Sequence, residues 1–281
     1  MELTNHPAQA AIWSAGQRRK NRRIAFVPTM GALHEGHLAL VRHAREHADS
    51  VVASIFVNPL QFNDKKDLER YPRHPEEDRR MLKEVGCDMV FSPVAEELFN
   101  DFTPVDHDLN NLGNILEGAS RPGHFQGVVN VVERLFHYVR PDNAVFGEKD
   151  RQQLAVIRHV ATHLRWPVQL IGFPIVRAED GLALSSRNQR LSEEERGTAP
   201  VLYEALRAVQ DAAFRSPVAD AVQAGMLVLA EKPSVQLDYL QIAHPDTLQP
   251  LTNWDGVTEA TALIAAQVGP VRLIDNITLR R

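Results

Sequence analysis

The chain has one cysteine, Cys87, among its 281 residues. A single thiol excludes an internal disulfide and any cysteine-rich zinc site. Cys87 lies in the strand-like run GCDMVFSP, so we expect a buried, unreactive thiol. This cysteine usage fits a reducing cytoplasm.

Long apolar runs and an excess of positive charge are also missing. No apolar run approaches the roughly 18 residues of a spanning helix, and the start, MELTNHPAQA, lacks the regions of a signal peptide. The 31 Lys plus Arg against 36 Asp plus Glu give a net charge of −5, which offers no broad footprint for nucleic acid or an anionic membrane. We therefore expect a cytoplasmic protein whose partners are small molecules, with no nucleic acid and no membrane.

The apolar runs that are present alternate with helical patterns. RIAFVP predicts a buried strand, HLALVRHAREHA an amphipathic helix, and VVASIFVNP a second strand. Strand, helix and strand at this spacing are typical of a parallel βαβ unit. The pattern repeats as far as residue 176, which predicts an α/β fold with a doubly wound parallel sheet.

The pattern of predicted helices and strands changes after residue 176. Two helical stretches, EEERGTAPVLYEALRAVQDAAF and PVADAVQAGMLVLAEK, precede three strand-like runs. We expect two domains, residues 1–176 with the parallel sheet and residues 177–281 as a smaller α+β domain that closes as a lid.

The stretch PTMGALHEGHLALV, at the end of the first strand, carries a distinctive pattern. Gly31 and Gly36 have P-loop spacing, but His37 and Leu38 stand where that loop requires Lys and Ser or Thr. Gly31 permits a tight turn, Gly36 a close backbone approach, and the first helix amides are donors for a phosphate. The sequence predicts an anion site that is not a P-loop.

Three interpretations of His34 and His37 stay open at this point. A zinc site of the metalloprotease type needs HExxH, whereas HEGH is one residue short. The rings could instead satisfy loop amides, or act as donors to a phosphoryl group. The third interpretation is favoured because three other marked stretches, NPLQF, FGEKDRQQ and LSSRN, also fall at strand ends or at the domain junction.

Those other stretches have alternatives of their own. Lys149, between two acidic residues, is either in a surface ion pair or a point charge for phosphate. LSSRN is a helix N-cap or a dense donor set for a polyphosphate. Gln61 and Gln153 are neutral amides suited to substrate hydroxyls and carboxylates.

Taken in order, these blocks resemble the pantothenate synthetases, the pantoate:β-alanine ligases of the HxGH nucleotidylyltransferase superfamily. The resemblance covers nearly the whole chain: VPTMGALHEGHLALV, SIFVNPLQF, DLERYPR, LEGASRPGHFQGV, VFGEKDRQQL, PIVRAEDGLALSSRN and VRLIDN. It implies a Rossmann-like fold, a homodimer, and a two-step reaction with ATP and Mg²⁺. Pantoate is first adenylated with release of pyrophosphate, and β-alanine then displaces AMP.

The resemblance also implies roles for individual positions. His37, as proton donor, His34 and Lys149 are the implied catalytic residues, and Gln61 and Gln153 contact pantoate, Gln61 also β-alanine. The implied ATP-binding residues are Met30, Gly31, Ala32, Leu33, His34, Glu35, Gly36, His37, Gly147, Glu148, Lys149, Asp150, Val176, Leu184, Ser185, Ser186 and Arg187. The magnesium ligands stay open, although PEED and Asp150 offer carboxylates.

Two positions depart from the family pattern. Leu184 stands where the family usually has Met, a volume-conserving change, and Asn130 stands where it often has Thr. Two other functions compete with the ligase: a sister HxGH adenylyltransferase with a phosphorylated acceptor, and a nucleotide sensor without turnover. The neutral pair Gln61 and Gln153 argues against the first, and the intact His34, His37 and Lys149 argue against the second.

Overall fold

The computed structural model describes residues 1–63 and 65–281, with the side chains of Lys65 and Asp67 excepted. Its strands are β1 (Glu2–Thr4), β2 (Ile24–Thr29), β3 (Ser50–Ile55), β4 (Met89–Phe91), β5 (Asn143–Gly147), β6 (Gln169–Phe173), β7 (Val235–Ala243), β8 (Glu259–Val268) and β9 (Val271–Arg280). Its α-helices are α1 (Pro7–Arg19), α2 (Glu35–His47), α3 (Lys65–Arg70), α4 (Pro75–Glu84), α5 (Ala95–Leu98), α6 (Leu116–Ser120), α7 (His124–Val139), α8 (Arg151–His163), α9 (Glu193–Thr198), α10 (Val201–Ala212) and α11 (Val218–Ala230).

The chain divides into two compact units. The first unit comprises residues 1–148 and 152–174, and the second comprises residues 149–151 and 175–281. The second unit takes in residues 149–151 because two side-chain bonds hold them there. The Asn276 amide donates to the Lys149 carbonyl at 3.0 Å, and the Arg151 guanidinium donates to the Pro245 carbonyl at 3.1 Å.

The first unit contains a six-stranded sheet in the order β1-β4-β3-β2-β5-β6. Its strand pairs run parallel, as the strand–helix alternation predicts. The edge strand β1, in register with β4 from Glu2 opposite Met89, was not predicted, because three residues are too few for a periodic signal. The predicted α/β class with a doubly wound parallel sheet is confirmed.

Both faces of this sheet are buried, which explains why its strands appear as continuous apolar runs. Side chains alternate between faces, so Phe26 packs in the layer formed with α7 and α8, whereas Val27 packs in the layer formed with α2 and α4. Each fully buried large apolar side chain contributes about 1.5–3 kcal/mol relative to exposure. The sheet is therefore a rigid base for the loops at its strand ends.

The second unit is built on the antiparallel sheet β7-β8-β9. Its apolar face packs with α10 and α11 around a separate core that includes Leu202, Leu206 and Ile264. The first of the two predicted helical stretches is divided into α9 and α10, because Pro200 lacks an amide donor and stands at the start of α10. The predicted α+β class of this region is confirmed.

The helices of the described residues are short. The longest, α7, has 16 residues, and none is long and apolar enough to cross a bilayer. In α2 the buried apolar residues, which include Leu38, Val41 and Ala44, form a stripe that faces the sheet.

Cys87 is buried beside β4, as its sequence context predicts. Burial raises the pKa of its thiol to about 12. Because the thiolate is the reactive form, we expect iodoacetamide to leave Cys87 unmodified in native protein at mildly alkaline pH and to alkylate it in urea. Intact-mass spectrometry measures both, and rapid alkylation of the native protein would contradict the burial.

Candidate active site

The parallel sheet opens between β2 and β5. The ladder between them covers two pairs, Ala25 with Asn143 and Phe26 with Ala144, although β2 continues to Thr29 and β5 to Gly147. The strand order runs outward from this point to β3 on one side and β6 on the other. A reversal of strand order is where open α/β sheets bind ligands, at the carboxyl ends of the strands.

Three of the stretches marked in the sequence meet at this edge of the sheet. Residues 30–34 follow β2, residues 56–61 follow the neighbouring β3, and Glu148 follows β5 on the other side of β2. The fourth stretch, Leu184–Asn188, belongs to the second unit. The site in the first unit is therefore centred on the loop between β2 and α2.

Gly31 determines the backbone conformation of this loop. Its φ of 81° lies in the left-handed region, and a Cβ there would stand 2.9 Å from Asp78 Oδ2 and 3.0 Å from Ile55 Cγ2. The next residue, Ala32, also has a positive φ, 48°, which costs about 1–3 kcal/mol in a non-glycine residue. The predicted tight turn at Gly31 is present, and it stores strain that surrounding contacts must offset.

Asp78 of α4 supplies those contacts. Its side chain is 1% exposed, and its two carboxylate oxygens accept the amide hydrogens of Ala32 at 2.9 Å and Leu33 at 2.8 Å. Burial raises the pKa of Asp78, while the two amide bonds oppose the rise. Asp78 is the last residue of PEED, which the sequence offers as an acidic helix start and as a source of carboxylates for magnesium. Its role as the clamp of the loop was not predicted.

His34 and His37 cap the start of α2 reciprocally. The Gly36 amide donates to Nδ1 of His34 at 3.2 Å, and the His34 amide donates to Nδ1 of His37 at 3.4 Å. The ring centroids are 4.1 Å apart. Since Nδ1 of each ring accepts a hydrogen, the proton of each neutral imidazole is on Nε2. The two rings thus present paired Nε2–H donors at one helix end.

Four amides of the loop and the first helical turn are bonded within the loop itself, and phosphate binding by the first helix amides stays a prediction. The amide of Gly31 donates to the Thr29 hydroxyl at 3.2 Å, those of Ala32 and Leu33 donate to Asp78, and that of Gly36 donates to His34. These bonds shape the loop. The Nδ1 atoms of both histidines therefore accept from backbone amides, as one of the three interpretations predicts. Donation to a phosphoryl group would come from Nε2.

Gln61 is the last residue of the 3₁₀ helix Pro59–Gln61, which follows β3, and its side chain bonds the loop after β2. Its Oε1 accepts from Asn58 at 3.2 Å, and its Nε2 donates to the Met30 sulfur at 3.0 Å. The Gln61 carbonyl accepts from His124 Nδ1 at 2.8 Å and from Arg121 at 3.3 Å. The buried amide of Gln61 is therefore held beside the loop that carries the histidines.

Gly127 of α7 is needed for this arrangement. A Cβ at Gly127 would stand 2.2 Å from the Leu60 carbonyl oxygen, which is backbone and cannot yield by a rotamer change. The Asn58 side chain also bonds the Gly127 carbonyl at 3.0 Å. Glycine here lets α7 approach residues 60–61 closely, a constraint invisible in the local sequence pattern.

Gln152 and Gln153 are adjacent but have different surroundings. Gln152 is buried: its amide donates to the carbonyls of Leu112 at 2.7 Å and Ile115 at 2.8 Å and accepts from the Glu117 amide at 3.0 Å. Gln153 is half-buried in the first turn of α8. Gln152 is thus a structural clamp that the sequence did not single out.

Asn130, one of the two departures, also makes structural bonds. Its amide accepts from the Val105 amide at 2.8 Å and donates to the Val105 carbonyl at 2.9 Å. The Asn130 side chain thus makes with the Val105 backbone, in the loop after α5, the two hydrogen bonds that a neighbouring strand would make. Threonine has no group that could form this pair of bonds.

Lys149 belongs to the second unit and is held by its backbone. Its carbonyl accepts from Asn276, and its ammonium lies 3.9 Å from Asp150 Oδ1, a loose contact with an exposed carboxylate. The predicted surface ion pair with Asp150 is therefore present in weak form. It leaves the compact charge of Lys149 able to act on another anion.

The other predicted residues of the second unit lie on one short segment. The Leu184 amide donates to the Val176 carbonyl at 3.0 Å, and the Ser185 hydroxyl accepts from the Arg187 amide at 3.3 Å. Ser185 is thus the N-cap of the 3₁₀ helix Ser186–Arg190, one of the two interpretations of this motif. A capping hydroxyl keeps its own hydrogen for a further bond.

A buried ion pair supports this segment. Arg177 donates to both oxygens of Asp275, at 2.6 and 2.9 Å, and also to the carbonyls of Gly181 at 3.0 Å and Asn276 at 3.1 Å. The guanidinium carbon lies 4.0 Å from the centre of the Tyr203 ring. Burial raises the pKa of Asp275, and Arg177 opposes the rise. This ion pair gives a structural role to the terminal motif VRLIDN, which contains Asp275 and to which the sequence assigned no role.

Removing one partner of this pair is expected to destabilise the protein strongly. Asp275→Ala leaves a buried guanidinium without its carboxylate and should lower the free energy of unfolding by about 3–5 kcal/mol in urea denaturation. Glu259→Ala, which removes an exposed partner of Arg280 in the same sheet, is the matched control and should cost under about 1 kcal/mol. Equal losses in the two variants would contradict this account.

The fold and the paired histidines define an α/β protein of the HxGH type, with a parallel sheet open at its switch point. The chain belongs to the pantoate-beta-alanine ligase family, whose family model matches residues 2–278. It is 50% identical over 273 residues to a pantothenate synthetase of Pseudomonas putida strain W619, covering 96% of this chain and 93% of that one.

Solved structures agree with this assignment. The crystal structure of pantothenate synthetase from Thermus thermophilus gives a TM-score of 0.92 at 48% identity, over 99% of each chain. The crystal structure of the pantoate-beta-alanine ligase from Francisella tularensis, complexed with beta-gamma ATP and beta-alanine, gives a TM-score of 0.78 at 32% identity. That comparison covers 99% of this chain and 97% of the relative.

Proposed function

We propose that the protein is an AMP-forming ligase that condenses (R)-pantoate with β-alanine to give pantothenate. Family membership over nearly the whole chain supports the proposal. So does the similarity to a relative crystallised with an ATP compound and β-alanine. The paired Nε2–H donors of His34 and His37, at the carboxyl edge of the sheet, are the structural observation that carries it.

The reaction has two balanced steps. A carboxylate oxygen of pantoate attacks the α-phosphorus of ATP, the bond to the bridging oxygen breaks, and pyrophosphate leaves. The amine of β-alanine then attacks the acyl carbon of the adenylate, the bond to the AMP oxygen breaks, and the amine loses a proton. No group of the protein becomes covalently attached.

The protein contributes positioning and charge stabilisation, which dominate phosphoryl-type transfer. Negative charge grows on the α-phosphate and the leaving pyrophosphate during the first step. His37 donates its Nε2 proton there, and His34, Lys149 and Arg187 supply further donors and positive charge. The caps on Nδ1 hold both rings in the donor tautomer before substrate arrives.

The remaining assignments follow the resemblance. Gln61 binds pantoate and β-alanine, and Gln153 binds pantoate. The ATP-binding residues of this proposal are residues 30–37, 147–150, 176 and 184–187.

Magnesium fits this site as a partner of the nucleotide. Both oxygens of buried Asp78 already accept amide hydrogens of the loop. We therefore assign this carboxylate to the loop and not to magnesium. Exposed Asp150 has a carboxylate suited to a metal-bound water. When bound, magnesium neutralises charge on the phosphates, which are its main ligands.

Gln153 and Gln152 give a matched test of the pantoate assignment. Gln153→Ala removes a hydrogen bond to a charged substrate and should raise KM for pantoate about tenfold or more. Gln152→Ala instead leaves buried backbone groups unsatisfied and should lower the free energy of unfolding by about 1–3 kcal/mol. Steady-state kinetics and urea denaturation separate the two effects. A larger rise in KM for Gln152→Ala would contradict the assignment.

The reaction itself is tested by pyrophosphate release, measured with ATP, magnesium and pantoate, with and without β-alanine, and with mass spectrometry of the products. The ligase predicts release that requires pantoate, and pantothenate only when β-alanine is present. ATP binding without release would support a nucleotide sensor. Release that requires a phosphorylated acceptor would support the sister adenylyltransferase.

Three further expectations belong to the same proposal: a cytoplasmic location, a homodimer and a second unit that closes as a lid. Light scattering after size-exclusion chromatography measures the assembly. Limited proteolysis around residues 177–188, with and without ATP and pantoate, tests the lid. A monomer would contradict the proposed assembly, and cleavage unchanged by both ligands would contradict closure.

A further inference from the structure

A second pair of histidines lies on α2, away from its capped start. His43 and His47 are four residues apart, with Glu46 between them, and their ring centroids are 4.4 Å apart. One ligand atom from each of the three residues lies within 4.8 Å of the other two. All three are half-buried or exposed, so an ion can reach them from solvent.

The hydrogen bond of the His47 ring resembles that of a metal-ligating histidine. Nδ1–H of His47 donates to the His43 carbonyl at 2.9 Å, which leaves the Nε2 lone pair to face a ligand. Nδ1 of His43 lies 3.1 Å from Glu46 Oε2. Since a carboxylate only accepts, this nitrogen holds a proton that a cation can replace.

The distances suit a small tetrahedral ion. Zinc takes imidazole nitrogen and carboxylate oxygen at about 2.0–2.2 Å, so ligand atoms of one tetrahedron lie about 3.3 Å apart. The 3.1 Å between His43 and Glu46 is close to that edge. The other ligand-atom pairs lie within 4.8 Å of each other, so side-chain rotations would have to bring them to that edge.

The surrounding charges also favour a cation. His47 is the last residue of α2, where the helix dipole is negative, and Glu46 adds a carboxylate. The nearby cations are directed elsewhere: Arg42 pairs with Glu35, and Arg45 pairs with Asp88. The Phe173 ring, 5.0 Å from that of His43, forms an apolar wall on one side.

We propose that His43, Glu46 and His47 form a Zn²⁺ site, with water as the fourth ligand. Zinc replaces the proton between His43 and Glu46, and that proton passes to solvent. Magnesium is not the ion of this site, because two of its three protein ligands are imidazoles. The site is separate from the residues proposed for the ligase reaction and does not depend on that function.

The chain offers a matched pair for comparison. His159 and His163 of α8 have the same four-residue spacing, but their ring centroids are 6.4 Å apart. Nε2 of His159 lies 3.1 Å from the Asp108 carbonyl, so this nitrogen carries a proton instead of a free lone pair. The pair is therefore a control for binding by helical histidines in general.

Isothermal titration of untagged, EDTA-treated full-length protein with Zn²⁺ tests the site. We expect saturable binding of one zinc per chain, unaffected by excess Mg²⁺. His47→Ala and Glu46→Gln should each weaken binding about tenfold or more. His159→Ala should leave it unchanged. Circular dichroism and the Tm without zinc verify that the variants fold, and zinc should raise the Tm of the wild type but not of His47→Ala.

Two results would overturn the site. The first is no saturable zinc binding by the folded wild-type protein. The second is binding that survives both His43→Ala and His47→Ala but is lost in His37→Ala, which would place the ion on the capping pair. The pantothenate-forming activity of His47→Ala without zinc should equal that of the wild type, since the site takes no part in that reaction.

Discussion

Replacing His37 is expected to lower kcat about 10²- to 10³-fold, the loss found when one preorganised donor to a developing anion is removed. In the proposed mechanism its Nε2–H donates where charge grows on the phosphates, and its Nδ1 caps α2. Alanine would remove both functions, so His37→Gln is the sharper variant. Glutamine at this helix position also accepts the hydrogen of the N-cap amide, as in a capping box. It keeps the cap and an amide N–H that can donate a hydrogen bond, but it cannot transfer a proton as imidazole can, so this variant tests proton donation by His37.

Steady-state kinetics with saturating pantoate and β-alanine measures the effect. His43→Ala, on the same helix but outside the proposed active site, is the control and should retain normal kcat. Lys149→Ala should show a loss of the same order, because it removes a charge from the proposed phosphate site. Near-normal turnover in His37→Ala and Lys149→Ala would remove these residues from the mechanism, whereas near-normal turnover in His37→Gln would exclude only proton transfer from His37.

The second large effect is expected for Asp78→Asn. Asparagine can accept from only one of the Ala32 and Leu33 amides and turns its own donors toward the other. The strained loop should shift, and with it the two histidines that follow. A displacement of about 1 Å at the reacting groups can cost about 10²-fold in rate, so we expect a loss of that size in kcat/KM.

Asp78 is a positioning residue, so its test needs a readout beyond activity. Glu77→Gln removes the neighbouring carboxylate of α4, which is exposed, and should leave kinetics and stability unchanged. In Asp78→Asn we expect kcat/KM of the folded enzyme to fall together with a modest loss of Tm, because one buried amide loses its acceptor while the other bond and the helix remain. A loss of Tm with normal kcat per folded molecule would show that Asp78 serves only stability.

The sheet could be predicted because its signals are local. RIAFVP and VVASIFVNP are apolar over their whole length, as strands buried on both faces must be, and the helix between them has a clear apolar stripe. The paired histidines could be predicted for the same reason: HEGH fixes their spacing at a strand end. The reciprocal cap follows from that spacing once the helix begins at Glu35.

The supports of the site could not be predicted, because their partners are distant in the chain. Asp78 bonds amides 45 and 46 residues earlier, and Arg177 pairs with Asp275 98 residues later. In the sequence, Asp78 is one of several acids at a helix start. The direction of the loop amides was missed for the same reason, since nothing local shows that a buried carboxylate accepts them.

The proposed reaction begins when an oxygen of the pantoate carboxylate attacks the α-phosphorus of ATP at this site. Pantoate labelled with ¹⁸O in both carboxylate oxygens tests it most directly, with ATP, magnesium and β-alanine and mass spectrometry of the products. The account predicts one ¹⁸O in AMP and one retained in the amide of pantothenate. AMP without label, or label in inorganic phosphate with release of ADP, would contradict it.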